Sequence, residues 1–373
     1  MVSWRILAGG YDAFIATYLF TATANSSSLE LWAKSATGQN PTWLARHPEN
    51  HSIIYTVNEQ GNGLLQSFLV NPVGTLSVAL NTTNSLGANP QYIAALSNGK
   101  IGIVNTSTGS ARVINTTDSG ATFNVTAPVE YIQFPADAKK EETSNPSMIL
   151  EYGNELWIPD TGRDIIWRVI EEPVAPNVTD ILKLNITGNI TQPKKSGPRH
   201  IAIFEDRLYT IQEKSSTLMV QTVPKLPEDN STILSRTTII PEDAPRYGAD
   251  WAGGAIVIPP RTDKFPTPYV YVSNRNLGVP DERGDTIAIF ELVNKDTEDE
   301  ELKLVKQVFT GLNQIRVLSV GPAGEDGGDE FILASGQTGQ GGVVVFQRVD
   351  GGRDLKEIVR NTDIPNRTSF IWL

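Results

Sequence analysis

The 373-residue chain contains no cysteine, three histidines and three methionines. Without cysteine there are no disulfides, no thiolate metal site and no cysteine nucleophile. No apolar run approaches the roughly 20 residues that a helix needs to cross a bilayer, so no membrane partner is expected. Basic charge is also scarce: 31 Lys and Arg against 42 Asp and Glu leave a net charge of −11. A phosphate-tracking surface needs a basic face, so nucleic acid is excluded as the expected partner. Helical periodicity is nearly absent. The first residues, "MVSWRILAGGYDAF", show no signal-peptide layout and go straight into strand-like sequence.

Strand signals fill the chain. Runs rich in Val, Ile, Tyr and Phe alternate with Gly/Asn/Asp/Pro turns. A pair of apolar strands around a polar turn recurs seven times. The copies start at Arg5, Ser52, Lys100, Glu155, Arg207, Tyr269 and Glu330, roughly 50 residues apart, a spacing in the range of propeller repeats. A turn opening a shorter apolar strand precedes most copies: "NPTWLA", "NPQYIA", "NPSMIL" and "GPRHIAI", with degenerate versions in "GADWAGGAIVI" and "NQIRVLSV". Seven four-stranded units predict an all-β fold, one seven-bladed β-propeller over residues 1–373 with antiparallel blades. The strand-like "RTSFIWL" at the end is expected to close the ring against the N-terminal strands. A two-layer sandwich would not explain the regular period.

In a propeller the innermost strand of each blade lines the central channel. The residue after each turn proline is therefore a rim candidate: Thr42, Gln91, Ser147 and Arg199. A second polar position recurs where the following strand ends: Glu59, Thr106, Asp160, Glu213, Arg275 and Gln337. If these converge they form a funnel of carboxylates and arginines, suited to acid/base chemistry. The bland alternative is a structural Arg–Glu ion pair. His200, beside Arg199, titrates near neutrality when unperturbed, although strand alternation with Ile201 and Ile203 can turn it from the site. Trp251 could stack on a sugar; the other tryptophans are expected between blades. His47 and His51 lack ligand spacing, "NKDTEDEELK" from Asn294 reads as a solvated hairpin, and "GEDGGDE" around Glu325 reads as a loop without the full calcium-loop pattern.

"GPRHIAI", "LYTIQE", "VYVSNRN" and "DTIAIFEL" resemble the lactonase family of seven-bladed propellers, along nearly the whole chain from Leu7 to Val343. That family includes the propeller-type 6-phosphogluconolactonases, the fungal 3-carboxy-cis,cis-muconate lactonizing enzymes and secreted fungal aldonolactonases; "GGYDAFIATYLF" is similar to the fungal branch. The resemblance implies that Arg199, Glu213 and Arg275 are catalytic, three residues that are also among the ring candidates. One position departs: the muconate enzymes carry a histidine in the opening turn before "PDTG", where this chain has "NPSMIL" and Ser147.

The expected activity is hydrolysis of an aldonolactone: Glu213 activates water, Arg199 and Arg275 stabilise the oxyanion, and His200 is a candidate proton shuttle. Glu59, Gln91, Ser147, Asp160, Gln337 and Trp251 are expected to bind substrate. No cofactor is expected. Glu59, Asp160 and Glu213 could imitate a carboxylate metal site, but arginines in the same ring would repel a cation. The alternatives are cyclization of a carboxymuconate and a non-catalytic binding scaffold. The expected partner is a small lactone or anionic substrate, the expected assembly a monomer or weak homo-oligomer. Eleven Asn-x-Ser/Thr sequons, at Asn25, Asn50, Asn81, Asn105, Asn115, Asn124, Asn177, Asn185, Asn189, Asn230 and Asn366, point to an extracellular glycoprotein, with a cytoplasmic protein as the alternative.

Overall fold

In the computed structural model seven four-stranded antiparallel sheets form the blades of a ring. The structure describes all residues except 127, 137–142, 176–177, 226–229, 245–246 and 325–326, and the side chains of 178–181. Asn177 and Glu325 therefore lie outside the described residues.

Each repeat found in the sequence supplies the second and third strands of a blade, and each preceding turn opens the innermost strand. Blade 5 is representative: Pro198–Phe204 is innermost, followed outward by Arg207–Gln212, Thr217–Thr222 and Ile233–Thr238. Blades 2, 3, 4, 6 and 7 begin innermost with Pro41–Arg46, Pro90–Ala95, Leu150–Tyr152, Trp251–Val257 and Asn313–Val320. Blade 1 is split between the termini. Its innermost strand is Ser369–Trp372, paired antiparallel to Val2–Gly9 through Ile6–Trp372 and Ala8–Phe370. This closure carries its own aromatic core: Trp4 packs against Phe20, Phe331 and Trp372 with ring centroids 5.8–6.0 Å apart. Trp32 departs from the expected inter-blade packing; it lies on the outermost strand of blade 1, 48% exposed, with Arg5 over its ring.

A repeated polar device fastens the blades. The last residue of the second strand, or its equivalent, is fully buried in five blades: Asn58, Asn105, Asp160, Gln212 and Asn274. Each side chain binds the segment arriving from the previous blade. Asn58 Nδ2 donates to the Gln39 carbonyl at 2.9 Å, Asn105 Nδ2 to that of Ser85 at 3.0 Å and Asn274 Nδ2 to that of Ile239 at 2.6 Å. Buried carbonyls require such partners.

The innermost strands share a second feature. The pairing register skips a residue at Thr42, Gln91, Arg199 and Arg316, each a β-bulge near the strand's start. A bulge frees one side chain from strict alternation and re-aims it. Blade 6 bulges between Gly253 and Ile256 instead.

The acidic hairpin after Asn294 is not simply solvated. Glu300 is buried, and its carboxylate accepts from Arg207 Nε at 2.6 Å and Nη2 at 2.8 Å, clamping blade 6 to blade 5.

Candidate active site

The strand order places the start of every innermost strand and the end of every second strand at one face, the mouth of the funnel. There Arg199, on its bulge, meets Glu213, one residue past the Arg207–Gln212 strand, and Arg275, near the end of Tyr269–Asn276. Glu213 Oε2 lies 3.0 Å from Arg199 Nε and 2.9 Å from Arg275 Nη2. The Arg275 contact is oblique, with no well-directed hydrogen bond from Nη2, so it is ionic in character. Both guanidiniums are nearly buried, whereas the Glu213 side chain is 31% exposed.

Backbone holds the arginines from behind. Arg199 Nη1 donates to the Gly254 carbonyl at 2.7 Å, and Arg275 Nε to the Gly253 carbonyl at 3.2 Å. The glycine pair lets this backbone enter: a Cβ on Gly254 would sit 2.4 Å from the Ile315 carbonyl oxygen, and one on Gly253 2.9 Å from that of Gln212. Burial lowers the proton affinity of Arg199, and Arg275 lowers it further; the group is pushed down to about 9 and stays cationic at neutral pH. For Glu213 burial acts upward, but Arg275 and Arg199 together outweigh it and hold the carboxyl below its ordinary range.

His200 belongs to this cluster from the inside. It is buried, edge-on to Trp43 and Tyr92 with centroids 5.4 and 5.7 Å away, and its Nε2 lies 3.1 Å from Arg199 Nη1. Burial, then Arg199, depress its pKa well below 6.5. The ring is therefore neutral at neutral pH, and Nε2 accepts from the guanidinium.

A second polar cluster adjoins the first. Glu59 accepts from Tyr11 Oη at 3.2 Å, from Gln91 Nε2 at 3.2 Å and from Arg316 Nη2 at 3.1 Å. Arg316 Nη1 also donates to Tyr11 Oη, and Gln337 Nε2 reaches the same oxygen at 3.5 Å. Arg316 is close enough to lower the proton affinity of Arg199 and Glu213. Burial raises the Tyr11 phenol; Arg316 opposes this and Glu59 adds to it.

Sequence reasoning missed Arg316 and Tyr11. Arg316 falls in "NQIRVLSV", whose turn has no proline; Tyr11 follows "AGG", a strand end with no polar residue at the recurring position. The available signal for Arg316 was a charged residue inside an otherwise apolar run at the position of an innermost strand.

Three expected substrate ligands do not join the polar clusters: Asp160 and Ser147 are turned into the structure, and Trp251 stands at the mouth apart from them. Asp160 is displaced by register: its partner is Pro146, just as Pro41 faces Asn58 and Pro198 faces Gln212, so Thr161, not Asp160, corresponds to Glu59 and Glu213. One residue of slip reverses the side of the strand. The Asp160 carboxylate is fully buried and accepts from Asn145 N, Gly162 N and Trp167 Nε1 at 2.8–2.9 Å. Ser147 is also buried; its hydroxyl donates to the Arg199 carbonyl at 2.7 Å and supports that arginine's strand. Trp251 heads the innermost strand of blade 6, half-buried, with no ring contact to the cluster among the described residues. His47 is structural: its Nδ1 accepts from Glu49 N and Asn50 N at 3.2 and 2.9 Å. Among the described residues no three His, Asp or Glu side chains converge to hold a metal ion.

Solved structures of the same fold span the whole chain. A Pseudomonas aeruginosa periplasmic gluconolactonase superposes with a TM-score of 0.79 at 18% identity, covering 100% of this chain and 99% of its own. A Lactobacillus plantarum protein superposes at 0.78 with 21% identity (100% and 99% covered), and a putative 6-phosphogluconolactonase from Bacteroides fragilis at 0.75 with 21% identity (100% and 98% covered). A search of curated proteins found no match. The sequence profile described as "Lactonase, 7-bladed beta-propeller" matches residues 5–372, and the chain therefore belongs to this lactonase family.

Proposed function

We propose that the chain hydrolyses the ring ester of a sugar lactone, an aldonolactone, in the funnel and without a metal ion. The observation that carries this reading is one carboxylate oxygen, Glu213 Oε2, shared by two nearly buried guanidiniums. In the resting site the carboxylate neutralises both cations. A water molecule beside Glu213 attacks the lactone carbonyl carbon and gives its proton to the carboxylate. The developing oxyanion takes over the Arg275 and Arg199 donors. As they turn to it, Glu213 loses its counter-charges and its proton affinity rises, which favours the transfer. The tetrahedral intermediate then collapses, the ring C–O bond breaks, and the protonated Glu213 returns its proton to the leaving alkoxide. Arginine suits the oxyanion role because its planar fork offers paired donors and holds its charge. His200, neutral and accepting from Arg199, positions that guanidinium rather than moving a proton.

The Glu59–Tyr11–Arg316 cluster with Gln91 and Gln337 supplies a wall of mixed donors and acceptors suited to sugar hydroxyls. Arg316 also favours a second reading. Three arginines face two glutamates in the funnel, a surplus that fits a substrate bearing carboxylates, so cyclization of a carboxymuconate is the alternative reaction. The sequons support an extracellular setting, where aldonolactones from sugar oxidation are the fitting substrates.

A pH-indicator assay of glucono-δ-lactone and cellobiono-lactone tests the proposal, comparing wild type with Glu213→Gln and Arg275→Ala, with and without chelator. Hydrolysis well above the spontaneous rate, lost in both variants and unaffected by chelator, is expected. No acceleration refutes it; carboxymuconate turnover would then support the cyclase, and its absence a binding scaffold.

A further inference from the structure

The strand order gives the ring two distinct faces. Turns joining second to third strands, and linkers between blades, lie at the mouth. Turns joining first to second and third to outermost strands lie at the opposite face. The two sets of turns hold similar lengths of chain, yet the sequons divide unequally. Asn25 lies between Phe14–Ala22 and Ser27–Ala36, Asn50 between Pro41–Arg46 and Ile53–Asn58, and Asn230 between Thr217–Thr222 and Ile233–Thr238. Asn81, Asn115 and Asn124 also fall at third-to-outermost connections, in blades 2 and 3. All six belong to the far face. Among the described residues Asn105 and Asn366 stand at the mouth, and Asn189 lies two residues from the mouth-side end of blade 4's outermost strand, at the outer rim away from the funnel. Asn105 is fully buried, and its amide donates to the Ser85 carbonyl and Ser110 Oγ as the fastener of its blade. Asn366, in the linker before Ser369–Trp372, is half-buried. Asn25 and Asn230 are exposed, as is Asn189 on the outer edge of blade 4.

We propose that the face opposite the funnel is the glycan-bearing face of this protein, with N-linked oligosaccharide on Asn25 and Asn230 first, while the mouth stays bare. In the modification the Asn amide nitrogen loses a proton and bonds to the anomeric carbon of an oligosaccharide carried on a lipid diphosphate, which departs as the leaving group. Bulky, hydrated sugars at the mouth would hinder entry of a small polar substrate; on the far face they add solubility without that cost. The inference rests on passage through a secretory compartment and not on lactone hydrolysis.

The test is glycosidase treatment in ¹⁸O-water of the protein purified from its native source, followed by peptide mass mapping. Label at Asn25 and Asn230 and none at Asn105 is expected, with lactone turnover unchanged by deglycosylation. The double variant Asn25→Gln/Asn230→Gln should lose the corresponding glycan mass and keep wild-type kcat/KM. Absence of label at every sequon overturns the proposal, and so does occupancy at Asn366 with Asn25 and Asn230 unmodified. A protein that is glycosylated as stated but inert toward lactones would retain this inference and lose the functional one.

Discussion

Replacing Glu213 by Gln separates the catalytic reading from the purely structural one. The change keeps the shape and one acceptor oxygen but removes the negative charge that two guanidiniums share. Breaking a fully buried pair costs about 3–5 kcal/mol because a charge is left uncompensated. Glu213 is 31% exposed, however, so solvent screens much of that loss, and about 1–2 kcal/mol is the expected fall in stability. Arg199 and Arg275 would keep their bonds to the Gly254 and Gly253 carbonyls. Catalysis should suffer far more. Loss of a general base is worth roughly 100- to 10,000-fold, or about 3–5 kcal/mol of barrier. The assay is steady-state lactone opening beside urea unfolding of both proteins. A kcat/KM reduced by two or more decades, with stability lowered by only a kcal/mol or two, supports the base role. A variant with near-wild-type kcat and a marked stability loss would refute it and leave Glu213 as an ion-pair partner.

Further outcomes follow from the same geometry. Because Arg275 and Arg199 hold the Glu213 carboxyl below its ordinary range, it contributes stability above its unfolded pKa, and this is lost as pH falls through the folded value; the acid limb of kcat/KM should therefore lie below about pH 4.3, the ordinary glutamate value. His200 is buried neutral, so the unfolded chain binds more protons below about pH 6.5 and stability falls on acidification from that point; urea unfolding between pH 6.5 and 5 should show a shallower pH slope in His200→Gln. Tyr11→Phe removes a donor to Glu59 and should raise KM several-fold with a smaller effect on kcat if this cluster binds sugar hydroxyls; an unchanged KM argues against it. Asn105→Ala should cost about 1–3 kcal/mol, the price of an unpaired buried carbonyl, at Ser85, with kcat intact by the same lactone assay.

The blades were legible because a period-two apolar pattern repeats, and every quoted strand pair falls on the second and third strands of a sheet. The Arg199–Glu213 pair was legible where two local signals coincided. In blade 5 a proline turn marks Arg199 and a polar strand end marks Glu213. Where a residue's own signal was missing, it was missed. Blade 7 lacks the proline, which hid Arg316, and blade 1 is divided between the termini with glycines at the recurring position, which hid Tyr11. Asp160 was misplaced because strand ends were aligned by polarity; aligning Leu156 with Leu208 instead sets Asp160 beside Gln212 and Thr161 beside Glu213.

What alternation cannot reveal is the bulge. A regular innermost strand would send successive side chains alternately into one neighbouring blade and the other, and a guanidinium so placed would be buried without partners. The skipped residue at Gln91, Arg199 and Arg316 breaks that alternation once, at the mouth, and turns a polar side chain toward the axis while the rest of the strand stays apolar. Blade 6 inverts the solution: its bulge opens directly after Gly253 and includes Gly254, and the backbone of this glycine pair itself faces the arginines. Two of the funnel's arginines, Arg199 and Arg316, thus reach it through the same local irregularity, while Glu59, Glu213 and Arg275 come from the ends of second strands. Gly254→Ala should misplace both arginines by forcing a Cβ to within 2.4 Å of the Ile315 carbonyl oxygen, and lactone turnover should fall with no group of the proposed chemistry removed. Retained turnover in a folded Gly254→Ala protein would show that the close approach of this backbone is dispensable.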